Sequence, residues 1–198
     1  MARVDEVTKA QHRQRLLEAA AAEFAAKGLE GARVDDISLA AGLAKGTIYN
    51  YFDSKLAVFG AVVEEWARRT GEARIVEPDD ASIRDQLLGF VRGDVAVIAE
   101  MEEFARAAVR EVLTMPPDVV AGILPAWEPI DAELEAIVER AQGRGELRSD
   151  RPALELTRMF LTLVNGLVME HWFPGSSIVL ADIPELAVDY FLDGALPR

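Results

Sequence analysis

The chain has 198 residues, no cysteine, a net charge of −13, and a composition that is 51% hydrophobic but only 7% aromatic. That length accommodates one large domain or a small domain joined to a larger one, and the missing cysteine excludes disulfides, thiolate nucleophiles and Cys-ligated metal. An acidic chain has no general affinity for nucleic acid, so any such binding must be local.

The charge is unevenly placed. Residues 1–55 hold eight Lys/Arg and eight Asp/Glu, so the whole excess of thirteen negative charges falls on the remainder. The opening MARVDEVTKAQHRQR has no apolar stretch of the kind a signal peptide needs. The most apolar run, MFLTLVNGLVM at 159–169, is far shorter than the roughly 20 residues that span a bilayer. Both point to a soluble, cytoplasmic protein. Alanine, leucine, glutamate and arginine favour helix, and strand-like alternation is almost absent. The expected class is all-α.

In chain order, the first helix is predicted over about 8–27, with Leu16, Leu17, Ala20, Ala21 and Phe24 forming one apolar stripe. Gly28 follows as a left-handed C-terminal residue. A short helix, VDDISLAA, comes next, with Asp35 and Asp36 in its first turn, where the helix dipole favours negative charge. Gly42 ends it. A third short helix is predicted from about Lys45 to Tyr51. Ser54 is placed to cap a long fourth helix starting at Lys55, with Phe52 beneath its start. After IVEPDD come helices at about 81–99, 101–114, 126–142, 152–173 and 182–193. They are punctuated by Pro116-Pro117, Gly143/Gly145, Pro152, Pro174-Gly175 and Gly194.

The stretch AGLAKGTIYNYFDSK carries the functional signal. Two short helices joined at a glycine form a helix-turn-helix, which needs a residue tolerant of positive φ at the turn and a small residue where the helices cross. Gly42 and Ser38 meet those needs, and Ile37, Ala41, Leu43 and Ile48 can hold both helices to a third. Lys45, Thr47, Tyr49 and Asn50 are left to face outward, each able to donate to a phosphate or a base edge. Tyr51 divides evenly between packing and contact. Gly46 keeps the start of the reading helix thin, and Lys55 stands at the beginning of the fourth helix, where a phosphate is favoured. Arg3, Lys9, Arg13 and Arg15 form either a basic arm or a solvated face.

The run RLLEAAAAEFAAKG…VDDISLAAGLAKGTIYNYFDSKLAVFGAVV, about residues 13 to 63, resembles the N-terminal region of TetR-family transcriptional regulators. The resemblance rests on an Ile-x-x-Ala-Ala-Gly turn, a Lys-Gly-Thr-aliphatic-Tyr reading helix and Tyr-Phe-x-Ser-Lys leading into the connecting helix. It implies a DNA-binding domain at 1–53 and a helical ligand-binding and dimerisation domain at 54–198. It further implies an Ω-like homodimer on a palindromic operator, released by a small apolar ligand. Carried over by position, Arg33, Lys45, Gly46, Thr47, Tyr49, Asn50, Tyr51 and Lys55 are the DNA-binding residues. Arg33 and Val34 stand where family members often carry Ser or Thr, and Ala44 replaces a common Ser. Arg33 supplies a cation in place of the cap.

In the second domain, Met101, Phe104, Trp127, Met159, Asn165 and Trp172 are the candidates for an apolar ligand pocket. Asn165 reads as a buried polar residue that fixes the register of a dimer interface built from 152–173 and 182–193. His12 and His171, the only histidines, make a poor metal site. No nucleophile elbow or phosphate loop is visible. The chain is therefore expected to have no cofactor, no metal and no catalytic set. The competing reading is a helical ligand-binding or scaffolding dimer whose DNA surface is degenerate.

Overall fold

The computed structural model describes residues 6–193, so Arg3 and Gly194 lie outside the described residues. Among the described residues all regular structure is helical. Packing divides the chain into two compact units, Met1–Arg68 with Met101–Ala126 and Arg69–Glu100 with Trp127–Arg198.

The first unit contains α1 (Glu6–Gly31), α2 (Val34–Ala40), a 3-10 turn (Thr47–Asn50), the larger part of α3 (Lys55–Ala73), α5 (Glu102–Val112) and α6 (Pro117–Ile123). The apolar stripe of α1 is buried as its spacing predicts, through Leu16, Leu17, Ala20 and Phe24. Gly28 interrupts α1 with φ 68° and ψ 176°. This is an extended mirror-image conformation, open essentially to glycine alone, rather than the left-handed helical one expected. The chain resumes a helical turn beyond it, and Glu111 of α5 accepts the Leu29 N–H at 3.2 Å. α1 packs on α5, and an aromatic row runs through this core. Phe24 meets Phe59 at 5.4 Å, Phe59 meets Phe104 at 6.0 Å, and Phe104 meets Trp66 at 6.2 Å.

α6 is not among the expected elements. Its seven residues are too few to show a stripe, and Pro116-Pro117 was read as a stop signal. Here Pro117 opens the helix, a position where its missing N–H costs nothing.

The second unit contains the end of α3, then α4 (Ile83–Glu100), α7 (Glu128–Gly143), α8 (Ala153–His171) and α9 (Ile183–Leu192). α8 lies between α7 and α9, and α9 also packs on α4. Phe160 and Val164 of α8, Leu134 and Val138 of α7, and Ile183 and Val188 of α9 are fully or almost fully buried. Phe160 stacks edge-on to Phe191 at 5.0 Å. Ser82 Oγ accepts the Asp85 N–H at 3.2 Å and Glu146 accepts the Ile83 N–H at 2.7 Å, so both cap the start of α4. Among the described residues no helix is long and apolar enough to cross a membrane.

Candidate nucleic-acid interface

The turn after α2 is closed by two backbone bonds. Leu43 N–H donates to the Ser38 carbonyl at 2.9 Å and Gly42 N–H to the Leu39 carbonyl at 2.9 Å. This is the Schellman arrangement, and it needs the positive φ that Gly42 adopts at 68°. Ser38 does more than leave space. It is fully buried, and its Oγ accepts the Ile48 N–H at 3.2 Å, tying α2 to the following turn. Ser38→Ala leaves that buried N–H without an acceptor, a loss of about 1–3 kcal/mol. Thermal unfolding should register it as a fall of several degrees, and an unchanged midpoint would show that the bond contributes nothing.

The reading element is shorter than expected. A helix from about Lys45 to Tyr51 was predicted, whereas the structure has a single 3-10 turn at Thr47–Asn50. Gly46, immediately before the turn, is itself left-handed at φ 81°, and Ile48 gives its N–H to Ser38 rather than to an intrahelical carbonyl. Tyr51, at φ −121°, leaves helical geometry at the other end. Four residues at about 2 Å rise make a blunt element of about 8 Å. Ile48 and Phe52 are buried beneath it.

Lys45, Tyr49 and Asn50 are exposed, and Gly46 and Thr47 are half-buried beside them. Lys45 Nζ lies 3.2 Å from Asp35 of α2 yet remains largely solvent-accessible. Asp35 thus holds the lysine at the edge of the surface, a partnership the sequence reading did not assign. Arg33 is exposed at the start of α2 and makes no side-chain cap there. Its own N–H is accepted instead by Glu23 at 3.3 Å. Tyr51 is half-buried, with its hydroxyl 3.3 Å from His12 Nδ1 on α1. Arg13 stands 5.7 Å over the ring of Phe52. Ser54 caps α3 as expected, accepting the Ala57 N–H at 3.0 Å.

Lys55 is engaged by the protein itself. Its ammonium donates to the carbonyls of Glu30 at 2.9 Å and Ala32 at 3.3 Å, fastening the end of α1 to the start of α3. Of its three donors, two are used in this way. Lys55→Ala is therefore expected to lower the thermal midpoint. If the third donor meets a phosphate, it also reduces the salt slope of DNA binding by about one. A lowered midpoint with an unchanged slope would leave Lys55 a fastening only.

Of the six pocket candidates, Met101 and Phe104 belong to the first unit and Trp127, Met159, Asn165 and Trp172 to the second. Phe104 is buried in the first unit, in the aromatic row, and Met101 precedes it at the start of α5. In the second unit, Trp127 and Trp172 are half-buried, whereas Met159 is 56% exposed. Asn165 was expected to be buried and is exposed within the single chain. The buried face of α8 runs through Leu156, Phe160, Val164 and Leu167, and Asn165 falls on another face with Met159, Thr162 and Gly166. Among the described residues no group of three or more His, Cys, Asp or Glu is placed to hold a metal ion.

Comparison with known proteins agrees with this arrangement. The family model for bacterial regulatory proteins of the tetR family matches residues 16–62, which covers α1, α2, the 3-10 turn and the start of α3. The chain is 42% identical over 79 residues to the HTH-type transcriptional repressor SCO4008 of Streptomyces coelicolor, a match spanning 40% of this chain and 39% of that protein. It is 28% identical over 174 residues to the HTH-type transcriptional repressor Rv1474c of Mycobacterium tuberculosis, spanning 85% and 86% of the two chains. In fold it resembles the transcriptional regulator FadR from Bacillus subtilis, solved in complex with stearoyl-CoA. The TM-score is 0.82 at 19% identity, over 92% of this chain and 99% of that one. With the helix-turn-helix built as described, residues 16–62 match the family model, so the N-terminal part of the chain is a helix-turn-helix domain of the bacterial tetR-family regulator type.

Proposed function

We propose that the protein is a repressor that binds a palindromic operator as a homodimer in the cytoplasm and is released from it by a small molecule. In this reading residues 1–53 form the DNA-binding domain and residues 54–198 the ligand-binding and dimerisation domain. Lys45, Gly46, Thr47, Tyr49 and Asn50 meet the major groove, with Arg33, Tyr51 and Lys55 at its phosphate walls. The observation that carries it is the outward patch on and just before the 3-10 turn, where Lys45, Tyr49 and Asn50 are exposed. A turn of about 8 Å reads few base pairs, so useful specificity needs two copies on a twofold axis.

The exposed face of α8 suits the second copy. Leu154, Met159 and Met169 are exposed there, beside an open groove lined by Leu163, Gly166 and Leu167. A charged residue at its centre, Met159→Glu, is expected to give monomers by sedimentation and to abolish operator binding while the thermal midpoint is kept. A variant that remains dimeric would move the interface elsewhere. That a protein of this fold has been solved with stearoyl-CoA supports a ligand with a large apolar part. Such a ligand releases DNA only by favouring one conformation over another. A mobility-shift titration against the region upstream of its own gene tests the reading. A sequence-specific shift at moderate salt is expected, and equal retardation of unrelated DNA would contradict it.

A further inference from the structure

Arg74 follows directly on α3 and is seated on α4 within the second unit. Gly89 and Gly93, one turn apart on α4, make room for the crossing chain. A Cβ at Gly93 would stand 2.7 Å from Arg74 Cα, and one at Gly89 would stand 2.5 Å from the Ile75 carbonyl oxygen. The Arg74 side chain that enters here is only 2% exposed. Its guanidinium is fixed twice, with Cζ 3.7 Å from the centroid of the Phe90 ring and Nη1 donating to Glu133 at 2.6 Å.

The other donors, Nε and Nη2, are buried and have no hydrogen-bond partner. They belong to one edge of the planar group, and their N–H bonds run side by side at the spacing of the two oxygens of a carboxylate. Buried charged donors left unmade are costly, so this edge calls for an acceptor. Arg74, Gln86, Phe90 and Glu133 line a cavity of about 50 Å³ whose rim also carries Glu77, Asp79 and Arg140, large enough for a carboxyl group and too small for a whole ligand. Gln86 Oε1 is also buried without a partner, while its Nε2 donates to the carbonyls of Pro78, Asp79 and Ala81 and so holds the loop over the cavity.

We propose that Arg74 anchors the ligand of this regulator, and that the ligand carries a free carboxylate seated side-on on Nε and Nη2, with the rest of the molecule beyond the cavity. The inference rests on the reading of the chain as ligand-responsive and names the chemical class of what it senses. Stacking on Phe90 and the bond to Glu133 set the guanidinium plane in advance, so little ordering is required when the carboxylate arrives. Asp94 and Asp131 also act on Arg74 through their charge. Burial pushes the Asp94 carboxyl up to about 6 against the pull of Arg74, and raises Asp131 for the same reason. Both therefore give up charge more readily than ordinary carboxyls when a further negative group enters.

The test compares octanoate, octanol and octylamine, which share a chain and differ in head group, by calorimetry on the full-length protein without DNA. Octanoate is expected to bind at least about tenfold more tightly than the other two. Arg74→Lys, which keeps the charge and loses the paired edge, should weaken octanoate about 10- to 100-fold. On the wild-type protein, the Arg74 Nε–H resonance should shift with octanoate and stay in place with octylamine, which decides the question even if the variant fails to fold. Equal affinity for the three probes, no octanoate binding, or an unmoved Nε–H would overturn the proposal. Because no operator is present, failure here leaves DNA binding untouched, and failure of the operator titration leaves these results readable.

Discussion

Phe59→Ala is expected to cost about 3–5 kcal/mol and to lower the thermal midpoint by roughly 10 °C. Phe59 is fully buried on α3, edge-on to Phe24 of α1 and tilted against Phe104 of α5. Truncation removes the middle of that row, so the penalty combines lost transfer free energy, an unfilled cavity and two aromatic contacts. The consequence for DNA binding is as specific as the loss of stability. α1 packs on α2 of the helix-turn-helix and on α5, and Phe24 of α1 meets Phe59 of α3. Operator affinity should therefore fall with the midpoint, and a small addition of stabilising osmolyte should recover both together. A variant that unfolds at the wild-type temperature would mean that the aromatic row does not carry this unit.

Lys45→Glu is expected to weaken operator binding at least about 100-fold with no loss of stability. Lys45 is mostly exposed, so its replacement disturbs no core, and it pairs with Asp35 at 3.2 Å. Losing a charge-assisted contact to phosphate or base is worth about 1–3 kcal/mol. Reversal adds the repulsion of a second carboxylate beside Asp35, facing a polyanion. Anisotropy titrations at several salt concentrations separate these effects. The loss should be largest at low salt and the slope smaller than that of wild type. An affinity within a few-fold of wild type would remove Lys45 from the interface.

These two residues mark the limits of what could be read in the sequence. The row containing Phe24 and Phe59 lies on stripes with the 3.6-residue period, so the helices and their buried faces are legible. Gly42 and Ser38 are legible for another reason, since a tight turn and a close crossing admit few residue types. The 3-10 form of the reading element is not, because it depends on Ile48 giving its N–H to Ser38, a contact ten residues back. Lys55 illustrates the same limit. Its position in the chain suggests a phosphate, but the carbonyls that claim it belong to Glu30 and Ala32.

The second unit was harder to read because its helices carry apolar residues on more than one face. On α8, Phe160 goes to the core while Met159, its neighbour, goes to the surface, and nothing local distinguishes the two. Asn165, expected as a buried polar residue at a dimer interface, is exposed in the single chain, on the same side of α8 as Met159. Arg74 gave no signal at all as a charged residue at a helix end. The clue was Gly89 and Gly93, four apart on α4, which mark a place where another stretch of chain comes close.

The central claim is that a pair of these turns reads a twofold-symmetric DNA sequence. Selection from a pool of random duplexes by the purified full-length protein tests it most directly. The account predicts enrichment of one motif with two inverted half-sites about one helical turn apart, lost with Lys45→Glu and with Met159→Glu. Enrichment of no motif, or of a single half-site bound equally well by the Met159→Glu protein, would contradict it.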